Sequence, residues 1–251
     1  MEDRGNEDVL DIIICTHKDF NSIVSNKCYK TIDVKTIDYK ELGLKYDDDF
    51  YCELLTYMWL IKNWEIKEYI GFCHYRRYFS FIDNIPDMKE IFKTYDAILP
   101  TPLYLKDSVK EHYAYCHNID DLEIIENIIK EYFPDYYPVV EKVFNSNMLF
   151  TNNMFIMKKD DFFEFMNFYT NVINMYLDLI GNDIDKRIND NKSKYLKNYN
   201  NDPQAGEIWY QKRIGGFMAE RLLTVFVIKK FDKIKLYDIK LTEKKYKSDR
   251  L

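Results

Sequence analysis

Tyr69-Ile70-Gly71-Phe72-Cys73-His74-Tyr75-Arg76-Arg77-Tyr78-Phe79 changes character halfway along. Its first five residues form an apolar run too short for a typical helix, and so read as a buried strand. The remainder sets an imidazole, two guanidinium groups and two phenols directly after that strand. The pattern recurs upstream, where Val9 to Cys15, interrupted only by Asp11, ends at Thr16-His17-Lys18. Downstream, Tyr95-Asp96-Ala97-Ile98-Leu99 stops at Pro100-Thr101-Pro102, because proline gives no N–H to a ladder. Between the first two strands, Leu54, Leu55, Met58, Leu60 and Ile61 recur at helical spacing within Phe50 to Asn63, and Asp47-Asp48-Asp49 caps that helix. Strands alternating with helices predict an α/β fold with a mostly parallel central sheet. Sheets of this kind bind ligands at the carboxyl ends of their strands.

Beyond Ser108 the pattern is mostly helical as far as Lys142, and Asn153 to Met157 supplies one more short strand. Asp161 to Ile180 has clean amphipathic spacing and is expected to cover one sheet face. Gly181 to Pro203 is polar and reads as a mobile loop before a second helical segment, Ile208 to Lys230, and a terminal strand over Ile234 to Ile239. No internal repeat or sharp shift of composition divides residues 1–251, so a single domain is expected.

A chain of 251 residues can bury a core without disulfide or metal staples. The net charge of −6 argues against a whole-surface footprint for nucleic acid, so an anionic ligand needs a local site. The five cysteines are scattered, without the close pairs of a zinc or redox motif, and read as buried free thiols. The amino terminus is acidic where a secretory signal would be basic, and no apolar run is long enough to cross a bilayer; a cytoplasmic protein is expected.

His74, Arg76 and Arg77 form a candidate diphosphate clamp, since planar, permanently charged guanidinium groups suit phosphate oxygens. The competing reading is an ion-pair set at the sheet edge. Gly215 and Gly216, adjacent in an apolar helical segment, cost roughly 1 kcal/mol each relative to alanine. Either they form an entry turn whose amides face an anion, or a neighbouring backbone or ligand comes close. Glu220, on the same helix, is the first candidate for a general base and His112 the second. Two Asp-x-Asp patterns, Asp47 to Asp49 and Asp183 to Asp185, follow no buried strand; the first reads as capping and the second as a solvated run. His112 and His117 are five apart and would face different ways, so no metal site is expected.

Taken together, Thr16-His17-Lys18, Glu53-Leu54-Leu55-Thr56-Tyr57-Met58-Trp59 with Lys62-Asn63, Gly71 to Tyr78, Asn153 to Met157 and Gly216 to Leu223 resemble one bacterial family. It comprises glycosyltransferases of capsule and exopolysaccharide clusters and has long been catalogued as a domain of unknown function. The resemblance implies a GT-A-like nucleotide-sugar fold, with residues 9–100 as the nucleotide-binding half and 101–240 as the acceptor-side and helical half. It implies transfer of a sugar, galactofuranose among those associated with the family, from a UDP-linked donor to a glycan or lipid-linked acceptor. The alternative is a non-catalytic nucleotide- or glycan-binding partner in an assembly complex. The one departure is Leu55, where the family favours Thr directly after Glu-Leu. Thr16, His17, Tyr75 and Asn153 are the expected nucleotide contacts. Where metal-dependent relatives of the fold keep an Asp pair, His74, Arg76 and Arg77, with Lys18 and the amides of Gly215 and Gly216, are expected to neutralise the leaving diphosphate without a cofactor. A lipid-linked acceptor would call for loose attachment to the inner membrane face, to which Lys244-Lys245-Tyr246-Lys247 could contribute.

Overall fold

The computed structural model describes residues 4–17, 24–181, 183–196 and 207–242. Among these residues ten strands form: β1 (Leu10–Thr16), β2 (Tyr29–Asp33), β3 (Tyr69–His74), β4 (Arg77–Phe79), β5 (Ala97–Pro100), β6 (Leu103–Tyr104), β7 (Met148–Leu149), β8 (Phe155–Lys158), β9 (Ile234–Tyr237) and β10 (Ile239–Leu241). The helices are α1 (Arg4–Glu7), α2 (Asp48–Tyr51), α3 (Leu54–Asn63), α4 (Met88–Ile91), α5 (Val109–Cys116), α6 (Ile119–Tyr132), α7 (Tyr137–Phe144), α8 (Lys159–Ile180), α9 (Ile184–Asp190), α10 (Lys192–Tyr195), α11 (Ile208–Gln211) and α12 (Ile214–Lys230).

The central sheet runs β2-β1-β3-β8-β5-β9. All of these strands share one direction except β8, which is antiparallel to both β3 and β5. Alternation along each strand feeds two cores, because successive side chains leave opposite faces. Ile13, Cys15, Ile70, Phe72, Phe155 and Met157 enter one core, and Ile12, Ile14, Tyr69, Cys73 and Ile156 the other. The first and larger core lies under α3, α8 and α12, and draws residues from both halves of the chain. Gly71 is obligatory where β1, β3 and β8 meet, since a Cβ there would lie 2.7 Å from Ile156 Cγ1 and 3.3 Å from Ile12 Cγ1.

Three sequence expectations need correction. The helix expected over Phe50 to Asn63 is two pieces, because Cys52 turns the backbone to φ 53°, ψ −134° between α2 and α3. The polar stretch after Gly181 contains α9 and α10: Ile184, Ile188 and Tyr195 are buried beneath their charged exteriors. Arg187 of α9 and Tyr195 of α10 both hydrogen-bond the buried carboxylate of Asp121. The terminal strand is two strands separated by Asp238, β9 pairing with β5 and β10 with β4. The residues after β3 turn back at once. They form a hairpin in which His74 pairs with Arg77 across Tyr75-Arg76.

Candidate active site

The carboxyl ends of β1 and β3 lie side by side, with Cys15 in register with His74. Thr16, His17 and His74 therefore open into one cavity of about 120 Å³. Its opposite wall comes from the start of α2 (Asp48, Asp49), from the break between helices (Cys52, Glu53) and from the approach to α12 (Trp209, Arg213). Strand ends supply imidazoles and a hydroxyl, while helix starts supply carboxylates and a guanidinium.

His74 is held neutral. Burial comes first among the causes, followed by the charges of Arg77 and Arg76, and together with His17 and Arg213 they depress its pKa to about 3. The Arg76 N–H donates to His74 Nδ1 at 3.4 Å, which leaves the proton of the neutral ring on Nε2. Arg77 is half-buried, and burial and the neighbouring Arg76 lower its pKa while Glu220 and Glu53 oppose that shift. Among the described residues neither Arg76 nor Arg77 takes part in an ion pair, and Arg76 Nε is buried without a hydrogen-bond partner. Both arginines stand beside the cavity rather than in its lining. Tyr75, expected to contact nucleotide, is only 1% exposed. Its ring instead packs against His74 at 4.2 Å between centroids, His17 at 5.2 Å and the Arg76 guanidinium at 4.9 Å. It fixes the arginine turn from below.

Gly215 and Gly216 do not line the cavity. A Cβ on Gly215 would lie 2.7 Å from Phe50 Cε1 and 2.9 Å from the Phe50 carbonyl oxygen; one on Gly216 would lie 2.6 Å from Cys52 Sγ. Close approach of α12 to α2 and the Cys52 turn, not anion binding, accounts for the glycine pair. Cys52 Sγ accepts from Arg213 Nε at 3.1 Å, while burial pushes the thiol up to about 12, so it remains protonated and is no nucleophile.

Among the described residues, the non-glycine positions with positive φ are Cys52, Asn152 and Asn153. All three serve two carboxylates. Cys52 directly precedes Glu53. Asn153, 2% exposed rather than open to a nucleotide, donates from Nδ2 to Glu53 Oε1 at 2.9 Å. The Asn152 N–H donates to Glu220 Oε1 at 2.6 Å, and Glu220 Oε2 accepts from Arg221 Nη1 at 3.0 Å. Burial raises the pKa of Glu220, with Arg221 opposing. His112 lies on α5, away from the cavity lining, with its Nε2 3.8 Å from Cys116 Sγ; burial, then Arg221, lowers its pKa. Lys18 and the lysines of residues 244–247 lie outside the described residues.

Asp47 caps α2 as expected, its side chain accepting from the Asp49 N–H at 3.0 Å. Capping does not exhaust the run. Oxygens of Asp47, Asp48 and Asp49 lie within 4.8 Å of one another, and the last two face the cavity, where burial and then its acidic neighbours raise Asp48. Such a set suits a hard divalent cation. Arg213 and Trp209 were not singled out in the sequence, and Glu53 stood only as the first residue of a motif, without a role; Arg213, immediately before an apolar helix, carried a signal of its own, a cation beside a helix N-terminus.

Residues 11–231 match the family described as a domain of unknown function, DUF4422. The chain belongs to that family. It is also similar to the apo structure of the WbbM bifunctional glycosyltransferase, with a TM-score of 0.72 and 20% identity. That likeness covers 94% of this chain and 46% of the other, so this chain spans less than half of that protein's length. At this identity it establishes the fold, which is GT-A-like. No curated protein matches the chain. Among the described residues, no helix is long and apolar enough to cross a membrane.

Proposed function

We propose that this chain is a glycosyltransferase of surface-polysaccharide synthesis that binds a UDP-sugar, galactofuranose being the sugar tested first, and passes the sugar to a glycan or lipid-linked acceptor. The observation that carries the proposal is the pair of guanidinium groups at the end of β3, without ion-pair partners among the described residues, next to a neutral imidazole that lines the cavity. Guanidinium groups committed to structure would be matched by carboxylates. Left unmatched, they suit the charge that grows on a departing diphosphate, and low surrounding dielectric strengthens that attraction. Arg213 adds a further cation across the cavity, and Trp209, 43% exposed at its edge, offers a face to the base or sugar. The fold of the family and the glycosyltransferase neighbour agree with this reading.

Neutralisation by fixed cations makes transfer independent of divalent ions. Asp48 and Asp49 favour a second reading, in which an ion held there supplies the charge instead. Two measurements separate them. Arg77→Ala should weaken UDP about 10- to 100-fold in isothermal titration, the effect of losing a charge-assisted hydrogen bond of ~1.5–3 kcal/mol, with the melting temperature of the free protein unchanged. Undiminished UDP affinity sinks the clamp, and complete loss of UDP release in EDTA transfers its role to the ion. UDP binding without release of UDP from any nucleotide-sugar would indicate the non-catalytic alternative.

A further inference from the structure

We infer that Glu53 is the carboxylate that accepts the proton of the attacking hydroxyl, a role that rests on the transferase reading above. Glu53 is weighed against the two bases expected from sequence, Glu220 and His112; of the other lining groups, Asp48 and Asp49 belong to the acidic cluster suited to a cation, His74 to the diphosphate clamp, and His17 packs edge-on against Tyr75. Glu220 has both oxygens engaged, Oε1 by the Asn152 N–H and Oε2 by Arg221, and it does not line the cavity. His112 is also outside the lining, on α5. Glu53 lines the cavity and has one oxygen engaged: Oε1 accepts from Asn153 Nδ2, and Oε2 accepts nothing among the described residues.

The local backbone explains why this side chain faces inward. Glu53 occupies the N-cap of α3 with helical backbone, where Ser, Thr, Asp and Asn are the usual caps, and its longer side chain makes no capping bond. The turn at Cys52, a positive-φ backbone of the kind that collects at functional sites, directs it into the cavity instead. Asn153, buried just ahead of β8 and outside the cavity lining, is a positioning residue. Its left-handed backbone and the 2.5 Å bond from Tyr57 Oη to its carbonyl hold the amide in place. Its own Oδ1 stays buried without a partner, because the flipped amide would set oxygen against the Glu53 carboxylate. Arg77 and Arg213 both feel the charge of Glu53, which places the carboxylate within the field of the groups proposed to hold the diphosphate.

The step balances. The acceptor O–H proton moves to Glu53 Oε2 as the acceptor oxygen bonds to the anomeric carbon. The bond from that carbon to the diphosphate oxygen breaks, and its electron pair leaves with the nucleoside diphosphate. Glu53 ends protonated and returns its proton to solvent.

The test uses the whole chain, with UDP and UDP-galactofuranose as probes and water as acceptor. Glu53→Gln keeps an oxygen for Asn153 and should melt like the wild type and bind UDP within twofold, while UDP release slows at least ~100-fold, the lower range for a general base. In Glu53→Ala, azide should restore release, since an anionic nucleophile needs no deprotonation; a group with a merely structural role gives no such rescue. Release by Glu53→Gln at the wild-type rate overturns the assignment, as does absence of azide rescue. Loss of UDP affinity in Glu53→Gln to the extent seen in Arg77→Ala also overturns it, by moving Glu53 to donor binding. If the wild type neither binds UDP nor releases it, the transferase reading has failed, and this assignment falls with it.

Discussion

Replacing Gly216 with alanine sets two effects of known sign against each other. Alanine in a helix is favoured over glycine by up to ~1 kcal/mol. Here its Cβ would lie 2.6 Å from Cys52 Sγ and 3.0 Å from Cys52 Cβ. Both distances are well inside the optimum, roughly 3.5–4.0 Å for carbon and no shorter for sulfur. Rotation of the thiol cannot relieve the Cβ contact, and it would break the 3.1 Å bond from Arg213. Overpacking of this kind costs ~1–3 kcal/mol, so Gly216→Ala alone should be destabilising by about 0–3 kcal/mol. In a Cys52→Gly background the obstruction is gone, and the positive φ of residue 52 suits glycine. There the same substitution should stabilise by up to ~1 kcal/mol, an inversion of sign with a coupling of ~1–3 kcal/mol. Urea midpoints of the four proteins, with the slopes checked for equality, measure the cycle. The same effect in both backgrounds would refute the account of the glycine pair.

The buried imidazoles predict an acid-sensitive fold. His74 and His117 are both depressed to about 3, chiefly by burial and then by arginine charge, Arg77 and Arg76 for the first and Arg221 for the second. Between the ordinary value near 6.5 and about 3 the unfolded chain binds protons that the folded chain refuses, so stability is full above that window and falls with acid across it. His117→Gln should flatten the decline of the urea midpoint between pH 7 and pH 4. Asp121→Ala leaves Arg187, Tyr176 and Tyr195 without their shared acceptor and should cost ~3–5 kcal/mol in urea unfolding. Asp120→Ala, removing the half-exposed partner of Lys194, should cost less than ~1 kcal/mol. Trp209→Ala should weaken UDP by about 5- to 100-fold in isothermal titration, from the ~1–3 kcal/mol of a base stacked on an aromatic face.

Much of the framework was legible because it follows from periodicity. The apolar runs at β1, β3 and β5 and the spacing of Phe162, Phe165, Tyr169, Ile173 and Tyr176 carry their own geometry, and α8 runs Lys159–Ile180 as the pattern requires. The break at Cys52 was not legible, since no glycine or proline marks it; the space for it is provided by Gly216, far along the chain. That pair of glycines was conspicuous, yet composition could not distinguish a ligand from a helix as the close neighbour. Glu53 stood in a recognisable motif, but its direction was hidden for the same reason as the break, because it depends on the turn before it. Asp48 and Asp49 were masked by a correct reading of Asp47: one carboxylate caps, and its neighbours are left to face the cavity. For α9, buried Ile184 and Ile188 are spaced for a helix, but the charged residues around them outweighed that signal.

The arginine turn depends on a strand far removed from it in sequence. β10 pairs Lys240 with Tyr78 and Leu241 with Arg77, and the Thr242 N–H reaches the Arg76 carbonyl at 3.2 Å. During synthesis β1 and β3 are complete long before these contacts exist. A nascent chain still short of residue 239 lacks the strand that braces its cation pair, so the proposed grip on a diphosphate should not form before β10 has left the ribosome.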